Sequence, residues 1–345
     1  MAKKKISRRD FIKQSSLLGV GGLILPNITP VISHLPEAFS TSKVVIVTHP
    51  NATSGSTINQ SIVQTMTDRA IKELTGITDL GGAYESLFPG IIASNIIALK
   101  INCLFGTMST HPQVANTITN GLTQMFSGTY NSNNIIIYDN QDGLISARGY
   151  TINASASGVR CFGTDHSGVG YDTYTIPVGS TTSRLSKIIT QFAQYLVNVP
   201  IMKDHSMSQI SLSMKNHYGT VHNPGSLHAN SCNPYIADVN KATAIKDKTK
   251  LIVIDALFGC YNGGPDHAPN FTYNGIIVST DPVAIDCVGR DIINEQRVLH
   301  GLTQYDPDYI HTVGYELGND NAANINIVKI DLGLASVSNW KDYKN

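Results

Sequence analysis

The chain has 345 residues, 41% of them hydrophobic and only 14% charged, and its 25 basic and 25 acidic side chains cancel. That length suits one large domain or two modest ones with a sizeable buried core. The composition excludes intrinsic disorder, collagen-like repeats and coiled coils; Ser, Thr and Asn stand where charges usually would.

The first element in chain order is a leader. Lys3, Lys4 and Lys5 precede Arg8-Arg9-Asp10-Phe11, and an apolar stretch over 17–25 ends at Pro26. A basic segment followed by a short apolar run is the pattern of an export signal, and paired arginines ahead of Phe11 resemble the twin-arginine signal. The apolar run is shorter than the ~20 residues a bilayer crossing needs. Residues 1–37 are therefore expected to be a signal peptide and 38–345 a single α/β domain. This reading makes the protein periplasmic or extracellular, with the twin-arginine translocation machinery as its export partner and membrane contact only through an uncleaved leader. The twin-arginine route carries folded cargo, which raises the expectation of a bound metal or iron–sulfur centre. Six basic and two acidic groups fall in 1–37, so the remainder is left near minus four. A mildly acidic domain lacks the footprint for nucleic acid, and that partner class is set aside.

Beyond the leader, apolar β-branched runs recur at 44–47, 96–101, 135–138, 197–202, 251–254 and 276–278. Most are continuous rather than alternating, which predicts strands buried on both faces. Helical spacing lies between several of them. One predicted helix runs from about Ile58 to Leu74, with Ser56-Thr57 as its cap and Gly76 as its stop. A second begins at Pro112, and a third spans 183–197. The fourth starts at Asp281-Pro282, where Asp281 can cap the first turn and Pro282 suits position N1; Val283, Ala284, Cys287, Val288 and Ile292 form its buried face. Strands alternating with helices predict a layered α/β fold, its largely parallel sheet flanked by helices. Two polar, Gly/Ser/Asn-rich stretches, 143–171 and 217–233, are expected as long loops.

The five cysteines (Cys103, Cys161, Cys232, Cys260, Cys287) lie far apart, with no C-x-x-C, zinc-ribbon or ferredoxin spacing. Disulfides would be permitted outside the cytoplasm, and an odd count leaves at least one thiol over. No P-loop and no G-x-S-x-G nucleophile elbow is present.

One region concentrates reactive groups. The run 197–202 is expected to deliver Lys203 and His205 at its carboxyl end, where open α/β sheets bind ligands. Lys215-Asn216 precede Gly219, and Lys100 and Asn102 end another buried run. Lysines converging in one cleft suit a small anionic ligand, and their mutual repulsion lowers their pKa values towards base or Schiff-base chemistry. Lys203, His205 and Lys215 are the candidate catalytic residues; Lys100, Asn102, Asn216 and Asp255 the candidate ligand-binding ones. His205, His228 and Asp281 make a candidate metal set on residue type alone, without a ligand spacing to support it.

The segments Ala-Leu-Lys-Ile-Asn-Cys (98–103), Val-Pro-Ile-Met-Lys-Asp-His (199–205), Ser-Met-Lys-Asn-His-Tyr-Gly (213–219), Ile-Val-Ile-Asp-Ala (252–256) and Ser-Thr-Asp-Pro-Val-Ala-Ile-Asp (279–286) resemble, in order, the family catalogued as domain of unknown function 362. The resemblance covers about 90–295. It implies a shared pocket drawing on Lys100, Asn102, Lys203, His205, Lys215, Asn216, Asp255 and Asp281, but no settled activity. Members of that family often carry an appended two-cluster ferredoxin domain, for which this chain has no cysteine run. Three functional readings stand: an enzyme or redox-associated protein acting on an anionic small molecule or cofactor, a non-catalytic extracytoplasmic protein binding a small anion, or a structural role in a surface assembly, for which the polar Asn/Thr-rich composition is the only support.

Overall fold

A computed structural model describes residues 41–334 apart from Thr107; the leader lies outside the described residues. The apolar runs fall in strands β1 (Ser42–Thr48), β2 (Ile97–Lys100), β3 (Ile135–Tyr138), β5 (Tyr195–Asn198), β6 (Ile201–His205), β8 (Thr249–Cys260) and β9 (Phe271–Ser279), and the chain adds three strands outside those runs, β4 (Arg160–Cys161), β7 (Gln209–Ser211) and β10 (Ile325–Asp331). They form one sheet in the order β10-β1-β9-β8-β5-β2-β3-β4, with β6 beside the far half of β8 and β7 beside β6. β7 and β9 run antiparallel to their neighbours and the other pairings are parallel, so the sheet is mixed but mostly parallel, as the alternation predicts.

Strand periodicity of two sends successive side chains to opposite faces. Val45, Val47, Ile97, Leu99, Ile135, Ile137, Val253 and Val278 enter a core closed by helices α1 (Gln60–Thr75), α2 (Leu80–Ser86) and α3 (Pro112–Leu122). Val44, Ile46, Ala98, Ile136, Tyr138, Ile254 and Ile277 enter a second core with α4 (Ser213–Asn216), α5 (Tyr235–Lys241), α6 (Pro282–Leu299) and α7 (Asp308–Leu317). Helices thus cover both faces, as two-sided burial of parallel strands requires.

Two helix boundaries follow the sequence closely. The Asp281 carboxylate accepts from the Val283 and Ala284 amides, both at 2.9 Å, ahead of Pro282. Gly76 ends α1 in the left-handed region at φ 73°, its amide donating to Lys72 O. The start of α1 differs: Asn59 caps it, while Ser56 precedes the second strand of a small hairpin pairing Thr53–Ser54 with Thr57–Ile58.

Two expectations are corrected. The predicted helix over 183–197 is instead the end of a short strand (Thr181–Ser183), a π-turn (Ile188–Phe192) and β5. Leu185, Ile188, Ile189 and Leu196 are all buried in one core cluster, but a turn and a strand carry them there rather than one helical face. The predicted strand over 197–202 is cut at Pro200. Val199 N donates to Lys100 O and Pro200 O accepts from Asp255 N, yet proline has no amide with which to continue the ladder. Beyond it β6 pairs with β8 and β7, and not with β2. The sheet therefore parts between the end of β2 and the whole of β6. Lys203 and His205 lie inside β6 rather than past its end. The two expected long loops also carry structure: a helix at Asp142–Ala147 and β4 in the first, and short 3-10 turns at His217–Thr220, Pro224–Leu227 and Asn230–Cys232 in the second.

Candidate functional site

The parting of the sheet holds a cavity of about 170 Å³, on the scale of an engineered cavity that accepts benzene. Lys100 and Asn102 come from the end of β2, Asp139 from the end of β3, Lys203 and His205 from β6, and Lys215 and Asn216 from α4; His228 completes the wall, and Leu104, Phe105, Leu144, Pro224 and Pro265 give it an apolar rim.

The floor is a closed polar network. Lys100 Nζ pairs with Asp139 Oδ1 at 2.8 Å, both groups almost wholly buried, and Asp139 Oδ2 accepts from the Cys103 amide at 2.6 Å. Asn216 Oδ1 accepts from Asn102 Nδ2 at 3.1 Å, and Asn216 Nδ2 donates to Asn198 Oδ1 at 2.7 Å and Lys100 O at 3.1 Å. That leaves Asn102 Oδ1 to accept from Lys203 Nζ at 3.1 Å, while Lys203 also donates to Met108 O at 2.8 Å. Gly219 is required here: a Cβ would stand 2.6 Å from Lys100 Nζ and closer still to Asp139 Oδ1.

Above this floor sit two ammonium groups with no counter-charge. Lys203 and Lys215 are 1% and 6% exposed, and among the described residues no carboxylate forms a salt bridge with either. Lys215 Nζ lies 2.8 Å from His228 Nε2 and 3.6 Å from the centre of the Tyr218 ring. Burial lowers Lys203 to about 8, against the pull of Asp139. Burial, with repulsion from Lys203, lowers Lys215 to about 7. His205 Nδ1 accepts from the Met207 and Ser208 amides, at 3.1 and 3.3 Å, which places the proton of the neutral ring on Nε2. Burial and the neighbouring Lys215, His228 and Lys203 bring His205 down to about 3, so it stays neutral. His205 and His228 stack with centroids 5.5 Å apart.

The family model for the domain of unknown function DUF362 matches residues 97–291, more than half of the chain and all of the strands and helices that build this cavity. The chain belongs to that family. No curated protein matches it. A solved structure of a Thermotoga maritima protein is similar at 12% identity over 64% of this chain and 55% of that one, with a TM-score of 0.37; at that likeness nothing is carried over from it.

The DUF362 segments do not all meet at the cavity. Lys100, Asn102, Lys203, His205, Lys215, Asn216 and His228 line it, but Asp255 and Asp281 do not. Asp255, expected just past a strand end, lies inside β8, which runs on to Cys260. Its Oδ2 accepts from the His111 amide at 2.8 Å and contacts His111 Nδ1 at 2.7 Å. Burial opposes protonation of His111, but the Asp255 charge prevails and raises its pKa. Asp281 is the cap of α6, bound also by the Ser42 hydroxyl and the Asn319 amide. The set His205, His228 and Asp281 therefore does not assemble, and among the described residues no three His, Cys, Asp or Glu side chains converge on a metal position. All five cysteines are buried free thiols spread over three apolar clusters.

Sequence reading missed Asp139 and Asp286. Asp139 follows the buried run 135–138 just as Asp255 follows 251–254, so the same signal was available. Asp286, fully buried on α6, accepts from the Ser213 and Met214 amides at 2.7 and 3.0 Å and so holds the start of α4. Residue type at that position reads only as a helical acid; the clasp depends on a contact 72 residues away in sequence.

Proposed function

We propose that this DUF362 protein binds a small anionic molecule, a carboxylate or a phosphate, in the cavity between β2 and β6, and that Lys215, His205 and His228 act on it by acid–base chemistry. One observation carries the reading: Lys203 and Lys215 face a common cavity, each more than nine-tenths buried, without a carboxylate partner. A buried charge is costly unless it is paired, and the oxygens that Lys203 bonds carry no charge to offset it; Lys100, by contrast, is neutralised by Asp139. An anion entering the cavity would supply the missing charge, with the Asn102–Asn216 network holding Lys203 in place and the His205 Nε2–H as a further donor.

Melting of the purified protein in phosphate or pyruvate, against chloride at equal ionic strength, tests this. Occupancy at a hundred times Kd contributes about 2.7 kcal/mol, and the Lys203→Met/Lys215→Met double variant should fold yet lose the anion response. Equal melting in all three anions would end the proposal.

We further propose that the protein acts outside the cytoplasm, delivered folded by the twin-arginine machinery. Arg8-Arg9, Phe11 and the short apolar run over 17–25 support this. An Arg8→Lys/Arg9→Lys variant that still reaches the extracytoplasmic fraction would remove it.

A further inference from the structure

The two unpaired lysines are held differently. Lys203 is gripped by two fixed oxygens, Asn102 Oδ1 and Met108 O, as suits a charge that stays a charge. Lys215 has no oxygen within hydrogen-bond reach among the described residues: its Nζ faces the Tyr218 ring on one side and His228 Nε2 on the other. Burial and the Lys215 charge hold His228 below the usual histidine range, against the pull of backbone bonds to Gly225 and Pro224, and the neutral ring turns Nε2 to the lysine as an acceptor. A lysine placed against a base nitrogen and an aromatic face, away from carboxylates, is arranged to give up its proton and become a nucleophile. His205, its Nδ1 tied to two backbone amides, presents Nε2–H to the same cavity. That group can polarise a carbonyl oxygen.

We infer that Lys215 forms a Schiff base with a short 2-oxo acid whose carboxylate is held by Lys203. The inference rests on the anion-binding reading and names its substrate class. The step balances within the site. The Lys215 ammonium passes one proton to His228 Nε2, and the free amine attacks the keto carbon, forming the C–N bond as the carbonyl electron pair moves to oxygen. A second nitrogen proton neutralises that oxygen to a hydroxyl. The proton on His228 then converts the hydroxyl to water, which leaves as the C=N bond forms. Ammonium and ketone have become iminium and water, with no oxidant, reductant or metal consumed. The burial that lowers Lys215 to about 7 makes the free amine available at neutral pH, and the apolar rim of Leu104, Phe105 and Pro265 limits the water that would reverse the step.

The test is reductive trapping. The purified protein is incubated with pyruvate and treated with sodium borohydride, then examined as intact protein and as peptides. The expected result is one adduct per chain, with a mass gain equal to pyruvate less one oxygen, mapped to Lys215 and suppressed by excess phosphate. Lys215→Arg should give no adduct, and His228→Asn should move the pH profile of trapping upwards. Peptide mapping of the unaltered protein decides the matter even where a variant fails to fold. Anion-dependent melting with Lys215 unmodified would overturn the Schiff base and leave the anion site standing; absence of both would overturn the two together.

Discussion

Lys215 shows at the scale of one residue how the site opposes the stability of the fold. The unfolded chain keeps a lysine protonated to ~10.4, whereas the folded chain releases this proton at about 7. Between those values the unfolded state binds more protons, so stability rises with pH across the window; below about 7 both states are charged and the full cost of burying the ammonium is present. Lys203, lowered to about 8, acts with the same sign. Asp286, raised by burial to about 8, acts with the opposite sign, losing stability as pH climbs towards that value. The comparison that isolates Lys215 is therefore the native chain against Lys215→Met, a substitution of similar shape without the charge. Urea midpoints at pH 6.5 and 9 should show the variant more stable than the native chain at the lower pH, by several kcal/mol at order of magnitude, with a smaller gap at the higher. A constant gap would mean that Lys215 titrates as an exposed amine and carries no buried-charge cost.

Among the elements, the decisive one is the four-residue helix α4, which supplies Lys215 and Asn216. So short a helix has little stability of its own, and its cap residue Leu212 offers no side-chain hydrogen bond. The Asp286 carboxylate, projecting from α6, caps it instead, one oxygen to each of two amides. In Asp286→Asn one of those oxygens becomes an NH2 group facing an N–H donor. The expected loss is roughly 1–3 kcal/mol, the range for leaving a buried donor without its acceptor, together with a clear drop in affinity for phosphate as α4 shifts. Asp281→Ala is the control. It removes the cap of α6 at a cost of roughly 1–2 kcal/mol and should leave phosphate affinity unchanged, because Asp281 does not reach the cavity. Matching affinity losses in the two variants would refute a special role for the Asp286 clasp. Asp281 was readable from its neighbours, Asp-Pro before an apolar periodicity. The work of Asp286 was not, because it crosses between elements. The break at Pro200 belongs with the readable signals: a proline inside an apolar run marks a place where one strand neighbour must be lost, and that loss opens the cavity.

For the whole molecule, the sheet's class was legible in the sequence and its order was not. Continuous runs such as 135–138 and 251–254 announce two-sided burial, and the strands between them follow. β10 escaped because Ile-Asn-Ile-Val-Lys-Ile-Asp alternates and lies half-exposed at the sheet edge, and β5 was hidden inside a false helical spacing. Nothing local reveals that the chain returns between β2 and β8 to make β5. That return is what brings residues near 100, 139, 203, 215 and 228 to one cavity, and it yields a prediction no single segment could. Saturating phosphate should slow amide hydrogen exchange at once in the stretches around 101–109, 205–212 and 219–228, which are far apart in sequence but share the cavity. Amides of β8 and β9, at the hydrogen-bonded centre of the sheet, should already exchange slowly and change little, and those of the edge strand β10 should exchange as before. The size of the effect reports the opening free energy of each segment, so the three stretches should gain protection over the same range of phosphate concentration. Protection confined to one stretch, or appearing at β10, would place the anion somewhere other than the cavity at Pro200.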